Sequence, residues 1–471
     1  MSDSGRASVG ITVKQAERRI AAVKGGRRER VSWLLYAAIP ALSILNAVVG
    51  LVLPMLLDPR SFGEYSLATT LFQYGLIFDL GLSQTTDRQV PVLLREDASA
   101  LGGFAATVMG LRLIVAGMAL AGGTGLLGAL AATDRLPFRF VDGVLSLAAG
   151  LSFMIALGAM SVWRAQSDRR AFALSSVATG LALAVARPVG LVAAGITGSF
   201  AMLFAAYAAL AVVLPRRLPT PRVLVPSRRV AARFVVQSLP LFMTSMLWAV
   251  YMTANRWVVS FLALPLDLGR FAFGANVLAL VVGMVAAVSQ LYYPAVAIRV
   301  AAEPRGTLSR VLQRDLAALA GIGLAIGACG ILVGPSLIEL LYRHFVGAEG
   351  PMRILLVALP SLLVCSWLVP LGLATATRPW LESLVTLPLA LFTLAAATVA
   401  GDRLGGIEGS AWGSCVAAGV LLALLLGAFG RNGLMAWRHI LTLFVLTALA
   451  TAGLAVLSTS HVMLHLLTQN G

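Results

Sequence analysis

The sequence is poor in charged residues, and this scarcity excludes a soluble protein. Only 12% of its 471 residues are charged, whereas 59% are hydrophobic, and the mean hydropathy is +0.89. Soluble domains usually contain about 25% charged residues. A membrane-spanning helix needs ~20 mostly apolar residues, so this chain has room for a dozen spans joined by short loops. We therefore predict one polytopic membrane domain.

Cysteine is also scarce. Cys329, Cys365 and Cys415 lie far apart within apolar runs, and they form no CxxC pair. This spacing indicates neither a disulfide framework nor a zinc site. The sequence also lacks a GxxxxGK[ST] loop, so ATP hydrolysis by this chain is not expected. We predict no cofactor and no metal site.

Acidic residues are the scarcer of the two charge types, at 20 against 36 basic residues, which gives a net charge of +16. A basic chain can bind nucleic acid. Here, however, the basic residues fall in short loops between apolar runs and are not interleaved with aromatic residues in a stripe. We predict no nucleic-acid partner, because cytoplasmic loops of a membrane protein account for the charge.

Thirteen apolar segments are candidate spans. They lie at 31–57, 65–86, 101–128, 141–163, 172–193, 198–214, 236–262, 271–292, 315–337, 352–374, 380–400, 409–428 and 438–457. The first follows a basic segment and is longer than the hydrophobic region of a signal peptide, so we predict an uncleaved span. The last is expected either to span the bilayer or to lie at its interface.

The connections between these segments alternate between arginine-rich and arginine-poor. The N-terminus and the connections near 88–95, 164–170, 215–235 and 299–314 are the rich ones. The positive-inside rule then places the N-terminus and the 215–235 linker in the cytoplasm.

The proline-rich linker divides the spans six and six. The predicted segments are a basic cytoplasmic 1–30, a bundle over 31–214, the linker 215–235, a bundle over 236–428 and a C-terminal 429–471. A shift of 206 residues lays 62–65 on 268–271, and a shift of 211 lays 195–199 on 406–410. Two bundles of even span number insert in the same orientation, which is typical of transporters with a path between the halves.

Several stretches resemble the polysaccharide-transporter and O-antigen flippase (Wzx-like) family of the multidrug/oligosaccharidyl-lipid/polysaccharide (MOP) flippase superfamily. They are DPRSFGEYSLATTLFQYGLIFDLGLSQTTDRQVPVLL at 58–94, Asn255-Arg256 followed by 268–271, IELLYRHFVGAEGPMRILLVALP at 338–360 and GGIEGSAWGS at 405–414. Each is a loose, mostly hydrophobic pattern, and the resemblance depends on their order and spacing over residues 31–430.

The resemblance implies an all-α fold of two six-helix bundles around a central cavity, in the inner membrane of a bacterium. The implied cargo is a lipid-linked oligosaccharide, with polysaccharide polymerase and assembly machinery as partners besides the lipid bilayer. A cation-coupled multidrug (MATE-like) extruder is the alternative within the superfamily. A membrane polymerase or ligase is a third reading, but such enzymes usually carry a large extracytoplasmic loop with catalytic residues, and the longest outer loop here is short. We therefore expect no enzyme.

Charged and amide side chains inside the spans are the candidate substrate contacts, because a charge at mid-membrane costs ~2.5–3.5 kcal/mol and tends to face a wet interior. The candidates are Arg112, Arg187, Arg256, Asp79, Asn255, Gln84 and Gln290. Arginines outnumber carboxylates among them, so a cavity that they line would be electropositive. Guanidinium groups bind phosphate oxygens bidentately, whereas cationic drugs would be repelled.

Each candidate also has a structural alternative. Arg256 lies near the end of its span and could extend to the interface. Arg112 could form an ion pair with Asp79, which could instead be a proton or cation site. Arg187 precedes Pro188 and could bond carbonyl groups that the proline frees. The amides could bind sugar hydroxyls or hold helices together.

Overall fold

The computed structural model describes residues 41–42, 44–96, 100–166, 168–218, 228–302, 305–375 and 382–469, and these contain helices but no strands. The helices are α1 (Ile44–Leu56), α2 (Pro59–Ile77), α3 (Leu82–Glu96), α4 (Leu101–Ala132), α5 (Phe140–Ala165), α6 (Arg169–Val213), α7 (Arg228–Leu262), α8 (Pro265–Ala302), α9 (Arg305–Leu341), α10 (Glu349–Val357), α11 (Leu359–Thr375), α12 (Leu387–Arg431) and α13 (Trp437–Gln469). The predicted segment 1–30, residues 31–40 of the first predicted span and 219–227 of the predicted linker lie outside the described residues.

The boundaries of the predicted span 65–86 are wrong. Helix α2 begins earlier, at Pro59, a first-turn position where the missing proline N–H costs no hydrogen bond. It ends at Ile77, well before residue 86. Leu80 and Gly81 then take left-handed backbone conformations, with φ of 51° and 74°, which an α-helix cannot contain. The chain therefore turns between α2 and α3.

Helices α6 and α12 are hairpins of two antiparallel limbs. The chain reverses at Ala194–Gly195, with φ, ψ of −151°, 31° and 65°, −154°. It reverses again at Gly405–Gly406, with −158°, 28° and 58°, −139°. The second residue of each turn has a positive φ, which glycine adopts without a Cβ penalty. The matching turns confirm the predicted correspondence of 195–199 with 406–410.

Small residues allow the limbs of each hairpin to touch. Gly190 faces Gly198 in α6, and Gly401 faces Gly409 in α12, so close that a Cβ on any of them would overlap the opposite backbone. The same offset of 211 residues relates the two glycine pairs. The internal repeat is therefore a repeat of backbone geometry.

The helices form two pseudo-symmetric bundles. In the N-terminal bundle, α5 packs against α2, α3, α4 and α6. In the C-terminal bundle, α7 packs against α12, and α8 packs against α10 and α11, while α13 lies beside α9 and α10. If each hairpin limb counts as one span, and the α2–α3 and α10–α11 pairs count as one span each, each bundle has six, and α13 is a thirteenth. The predicted all-α polytopic fold of two six-helix bundles is confirmed.

The two bundles meet mainly through α2. At one end of the interface, Gly63 of α2 crosses Gly269 of α8 beside Pro59, with no space for a side chain at either glycine. This crossing keeps the predicted 206-residue offset. At the other end, Gly81 lies against Ser238 of α7. We call these the Pro59 end and the Gly81 end.

Seven of the described helices are long and apolar enough to cross a membrane, or eight if the bent α10–α11 pair is one span. Helix α13 qualifies over Trp437–Ser460 by length and composition, so the predicted segment 438–457 is long enough to span. Helices α2 and α7, which line the bundle interface, are not among them. Their polar side chains lower their hydropathy, and those side chains lead to the candidate site.

The predicted span 352–374 is bent. Helices α10 and α11 meet at an angle of 51° around Ala358. Pro360, in the first turn of α11, has no N–H for the Leu356 carbonyl, and its ring crowds the preceding turn. Its N-terminal counterpart, α5, is one continuous helix.

Candidate functional site

A row of polar side chains on α2 faces the C-terminal bundle. Ser66, Thr70 and Tyr74 are spaced four residues apart, so they share one side of the helix. The Tyr74 hydroxyl lies 2.6 Å from the Thr253 hydroxyl on α7, and Trp257 Nε1 donates to Thr70 Oγ1 at 3.0 Å. Polar groups buried between membrane helices are stabilised by such partners. Side-chain hydrogen bonds therefore join the two bundles here.

Arg256 lies at the Ser66 end of this row. Only 3% of the surface of Arg256 is exposed to solvent. Nη1 donates to Ser66 Oγ at 3.3 Å and Nη2 donates to the Ala275 carbonyl at 3.0 Å, while Nε has no hydrogen-bond partner. Within the described part of the chain, no carboxylate lies within 4.0 Å of the guanidinium. Extension to the membrane interface is thus excluded, and Arg256 is a cation buried between α2, α7 and α8.

The three candidate amides are placed differently. Asn255 is buried next to Arg256, and its Oδ1 accepts a hydrogen bond from the Arg256 backbone N–H at 2.9 Å. Gln84 and Gln290 belong to α3 and α8, but their side chains lie outside what the structure describes. A sugar-binding role for the three amides stays a prediction.

Arg187 of α6 lies on the other side of α2, within the N-terminal bundle. Its guanidinium carbon is 5.8 Å from the centroid of the Phe72 ring, which is within cation–π range. Phe72 stacks on Tyr207 and Phe153. Arg187 Nε is buried without a hydrogen-bond partner. The cation therefore faces an aromatic cluster.

Asp79 and Arg112 form the ion pair named above as a structural alternative. Arg112 is fully buried, and its Nη2 lies 3.4 Å from Asp79 Oδ2 and donates to Ser83 Oγ at 2.8 Å. Its Nη1 donates to the Met154 carbonyl of α5 at 2.8 Å. Gly158 leaves room for the side chain, because a Cβ there would lie 2.8 Å from Arg112 Cδ. The charge of Arg112 is compensated within the N-terminal bundle.

The structure does not bring the three arginines into one cluster. Each contacts a different part of α2 or the turn after it: Arg256 at Ser66, Arg187 at Phe72 and Arg112 at Asp79. Ser66 and Phe72 are ~9 Å apart along the helix axis. Phe72 is two residues from Thr70, so it faces away from the polar row. Arg256 alone reaches the bundle interface.

The sequence reading missed the neutral residues of the interface. Ser66, Thr70, Tyr74, Thr253 and Trp257 surround or continue the Arg256 site. The signal that could have found the first three is their four-residue spacing in an otherwise apolar helix. The two on α7 carry no comparable pattern.

Two cavities lie away from Arg256. One of about 540 Å³ opens at the Pro59 end and is lined by Asp267, Asp402 and Glu408 among others. One of about 160 Å³ lies inside the N-terminal bundle beside Asn46 and Tyr207. Over the residues that the structure describes, no three His, Cys, Asp or Glu side chains are grouped as a metal site requires.

The fold is similar to that of solved transporters. The lipid II flippase MurJ in an inward closed conformation aligns with a TM-score of 0.66 and 11% identity, over 92% of this chain and all of that one. An inward-facing multidrug resistance MATE family transporter of the MOP superfamily gives 0.61 and 13%, over 90% of this chain and 98% of the other. The Vibrio cholerae MATE transporter VcmN in a bent form gives 0.55 and 15%, over 88% and 99%.

No protein-family model matches the chain, and no curated protein matches it. At identities of 11–15% the structural likeness shows the fold alone. That fold is the one shared by MOP-superfamily flippases and multidrug transporters.

Proposed function

We propose that this protein is a flippase that moves lipid-linked oligosaccharides across the bacterial cytoplasmic membrane by alternating access, for assembly of a cell-surface polysaccharide. The proposed cargo is a repeat unit on an isoprenoid phosphate, and the proposed relatives are Wzx-like flippases. The observation that carries the proposal is Arg256, a buried cation at the bundle interface that has only neutral partners.

The chemistry of Arg256 favours an anionic phosphate. Its present partners, the Ser66 hydroxyl and the Ala275 carbonyl, leave the positive charge uncompensated, which is costly for a buried ion. A phosphate or pyrophosphate could accept both Nη donors in a bidentate contact once the bundles separate. A cationic drug in the same place would be repelled. The bound anion would thus stabilise an opened interface.

The other candidate residues take secondary places in this proposal. Arg187 is a secondary candidate: it has no carboxylate within 4.0 Å among the described residues, but it lies on the side of α2 away from the interface, so we expect its replacement to reduce transport less than that of Arg256. Arg112 is already compensated by Asp79, so we expect the weaker substrate effect there.

The similar folds support a membrane transporter, and one of them supports a lipid-linked cargo. One of the similar folds is a lipid II flippase, and the others are transporters rather than enzymes. A cytoplasmic N-terminus and partnership with polymerase and assembly machinery belong to the same proposal, on the positive-inside pattern and the family resemblance.

Multidrug extrusion is the second candidate, favoured by the similarity to MATE transporters. A cation extruder needs carboxylates free to bind the drug or the coupling ion. Of the carboxylates buried in the described spans, Asp79 is held by Arg112, and Asp142 accepts a hydrogen bond from the Thr197 hydroxyl at 2.6 Å. The interface itself carries a cation, so we rank this candidate lower.

The decisive experiment replaces Arg256 in a deletion strain of the host. The deletion is expected to accumulate lipid-linked repeat units on the cytoplasmic leaflet. Arg256→Gln should fail to clear them, and Arg256→Lys should clear them in part, because lysine keeps the charge but not the bidentate geometry. Arg60→Gln is the matched control, since the side chain of Arg60 is 70% exposed.

Normal export by Arg256→Gln at wild-type protein level would refute the phosphate site. A deletion that leaves the lipid-linked units unchanged but raises drug sensitivity would favour the extruder instead.

A further inference from the structure

The turn between α2 and α3 makes a close contact between the bundles at the Gly81 end, where the Phe104 ring of α4 also packs against Phe234 of α7 with centroids 5.6 Å apart. A Cβ on Gly81 would lie 2.5 Å from the Ser238 carbonyl oxygen of α7, so glycine is required for this approach. Just before the turn, the Phe78 ring packs edge-on against Phe242 of α7, with centroids 5.3 Å apart. Leu80 and Gly81 are both left-handed, a conformation that a non-glycine residue adopts only when its surroundings enforce it.

The buried ion pair supplies that enforcement. Asp79 Oδ1 accepts the Gly81 amide at 2.8 Å, and Oδ2 accepts the Ser83 amide at 3.0 Å. Arg112 of α4 then contacts Asp79 Oδ2 and donates to the Met154 carbonyl of α5. The backbone that touches α7 is therefore fixed to two helices of its own bundle.

We propose that Asp79 and Arg112 are positioning residues that hold the 78–81 turn in the shape that closes the bundles at the Gly81 end. Weakening either residue loosens the turn and lets this end open more readily. The inference rests on the proposed function only in taking the bundles to separate and rejoin. It requires no cargo, so it can fail or succeed independently of the phosphate site.

Glycine variants test the contact itself. Gly81→Ala adds a Cβ against the Ser238 carbonyl at a φ of +74°. Gly195→Ala is the matched control, because Gly195 has a φ of +65° but nothing within 4 Å of its added Cβ. Both variants place alanine at a positive φ, and only the first brings its Cβ against the opposite bundle.

The readout is the distance between spin labels on the purified full-length protein in nanodiscs without substrate. Cysteines at the exposed Gly103 of α4 and Val236 of α7 report the Gly81 end, and cysteines at Arg60 and Leu264 report the Pro59 end. The exposed Cys329 is replaced by alanine in every sample.

We expect Gly81→Ala to raise the ratio of open to closed molecules at the Gly81 end by about tenfold or more, since each tenfold corresponds to only ~1.4 kcal/mol. Gly195→Ala should leave the ratio unchanged. A distribution for Gly81→Ala that matches the Gly195→Ala control would overturn the contact.

Charge variants test the positioning role. Asp79→Asn keeps an oxygen acceptor but loses the charge. Arg112→Lys keeps the charge, but a lysine cannot contact Asp79, Ser83 and the Met154 carbonyl at the same time. Both variants should open the Gly81 end, but less than Gly81→Ala does. Arg164→Gln is the control, because it breaks the nearby ion pair with Asp87 without touching the turn.

If Asp79→Asn does not fold, Arg112→Lys decides alone. Closure unchanged in the folded variants would overturn the role of the ion pair, even if Gly81→Ala opens the protein.

Discussion

The two bundles share a backbone plan but differ in where they bury charge. The hairpin turns at Gly195 and Gly406 have the same conformation, 211 residues apart. The buried ion pair has no such counterpart: at the 206-residue offset, Asp79 falls on Val285 and Arg112 on Ala318. The repeat therefore keeps the residues that shape the backbone and not the residues that carry charge.

This difference separates structural from functional requirements. An apolar cluster fills the C-terminal bundle around residues such as Phe271, Leu355 and Leu421 and continues across the interface to Phe62 of α2, and Arg353 of α10 is a buried charge in the same bundle. Over its described residues, the C-terminal bundle forms the same arrangement of helices without a buried ion pair equivalent to that of its partner bundle. The charges of the N-terminal bundle are thus not needed to build this fold. The broken α10–α11 pair shows that the C-terminal bundle has its own departure from the common plan.

The largest effect on stability is expected when Asp79 and Arg112 are replaced by valine and alanine, the residues at the equivalent positions of the C-terminal bundle. Asp79→Val should lower the unfolding free energy by about 3–5 kcal/mol, because it leaves Arg112 buried without its counter-charge. The double variant Asp79→Val/Arg112→Ala should recover part of this loss. Thermal unfolding of the purified variants measures both.

The control for this cycle is Arg164→Ala at the partly exposed ion pair, which should cost only ~0–1 kcal/mol. If the double variant loses as much stability as Asp79→Val and Arg112→Ala lose in sum, Asp79 and Arg112 are not coupled.

The hairpin glycines should give smaller and equal effects in the two bundles. Gly190→Ala and Gly401→Ala each force a Cβ into the opposite limb, an overpacking that typically costs about 1–3 kcal/mol. Gly117→Ala in α4 meets nothing within 4 Å and should be neutral or slightly stabilising, since alanine favours helix. Unequal losses at the two hairpins, read from unfolding in the same nanodiscs, would break the structural equivalence.

The smallest effect concerns the start of α2. The Asp58 carboxylate accepts a hydrogen bond from the Ser61 amide at 3.1 Å, whereas the equivalent position before α8 is Leu264. Asp58→Ala should therefore cost only about 1 kcal/mol, and Asp58→Asn, which still caps, should cost less.

The hydrogen bond from Ser61 lowers the pKa of Asp58 from its usual 3.8, so the cap is ionised at neutral pH. Its contribution should disappear only as the pH falls through the lowered pKa. A wild-type minus Asp58→Ala stability difference that already vanishes at neutral pH would contradict this cap.

Much of the fold was predictable because apolar runs and glycine turns mark it. The limbs 172–193 and 198–214 were separated correctly, since Gly195 and its neighbours interrupt the hydrophobic pattern. The turn at Leu80 was not predictable, because leucine in a left-handed conformation leaves no mark in the sequence. The bend at Ala358 was missed because Pro360 lies inside a long apolar run.

The candidate site was predicted only in part. Buried charges attract notice because they are costly in a membrane, so Arg112, Arg187 and Arg256 were identifiable. Which of them faces the interface was not, because that depends on contacts such as Arg256 with Ser66, 190 residues away in the chain. The sequence alone could not distinguish a compensated arginine from an uncompensated one.

The backbone crossing of Gly63 and Gly269 has a mechanical consequence. Two helices whose backbones touch at glycines can rotate about that contact more easily than they can slide past each other. The Gly63–Gly269 crossing can therefore act as a pivot. Helix α2 extends ~21 Å from Gly63 to Ile77, and a tilt of ~10° about the crossing would move its far end by ~4 Å. A small rotation at the Pro59 end would thus separate the bundles by several ångströms at the Gly81 end.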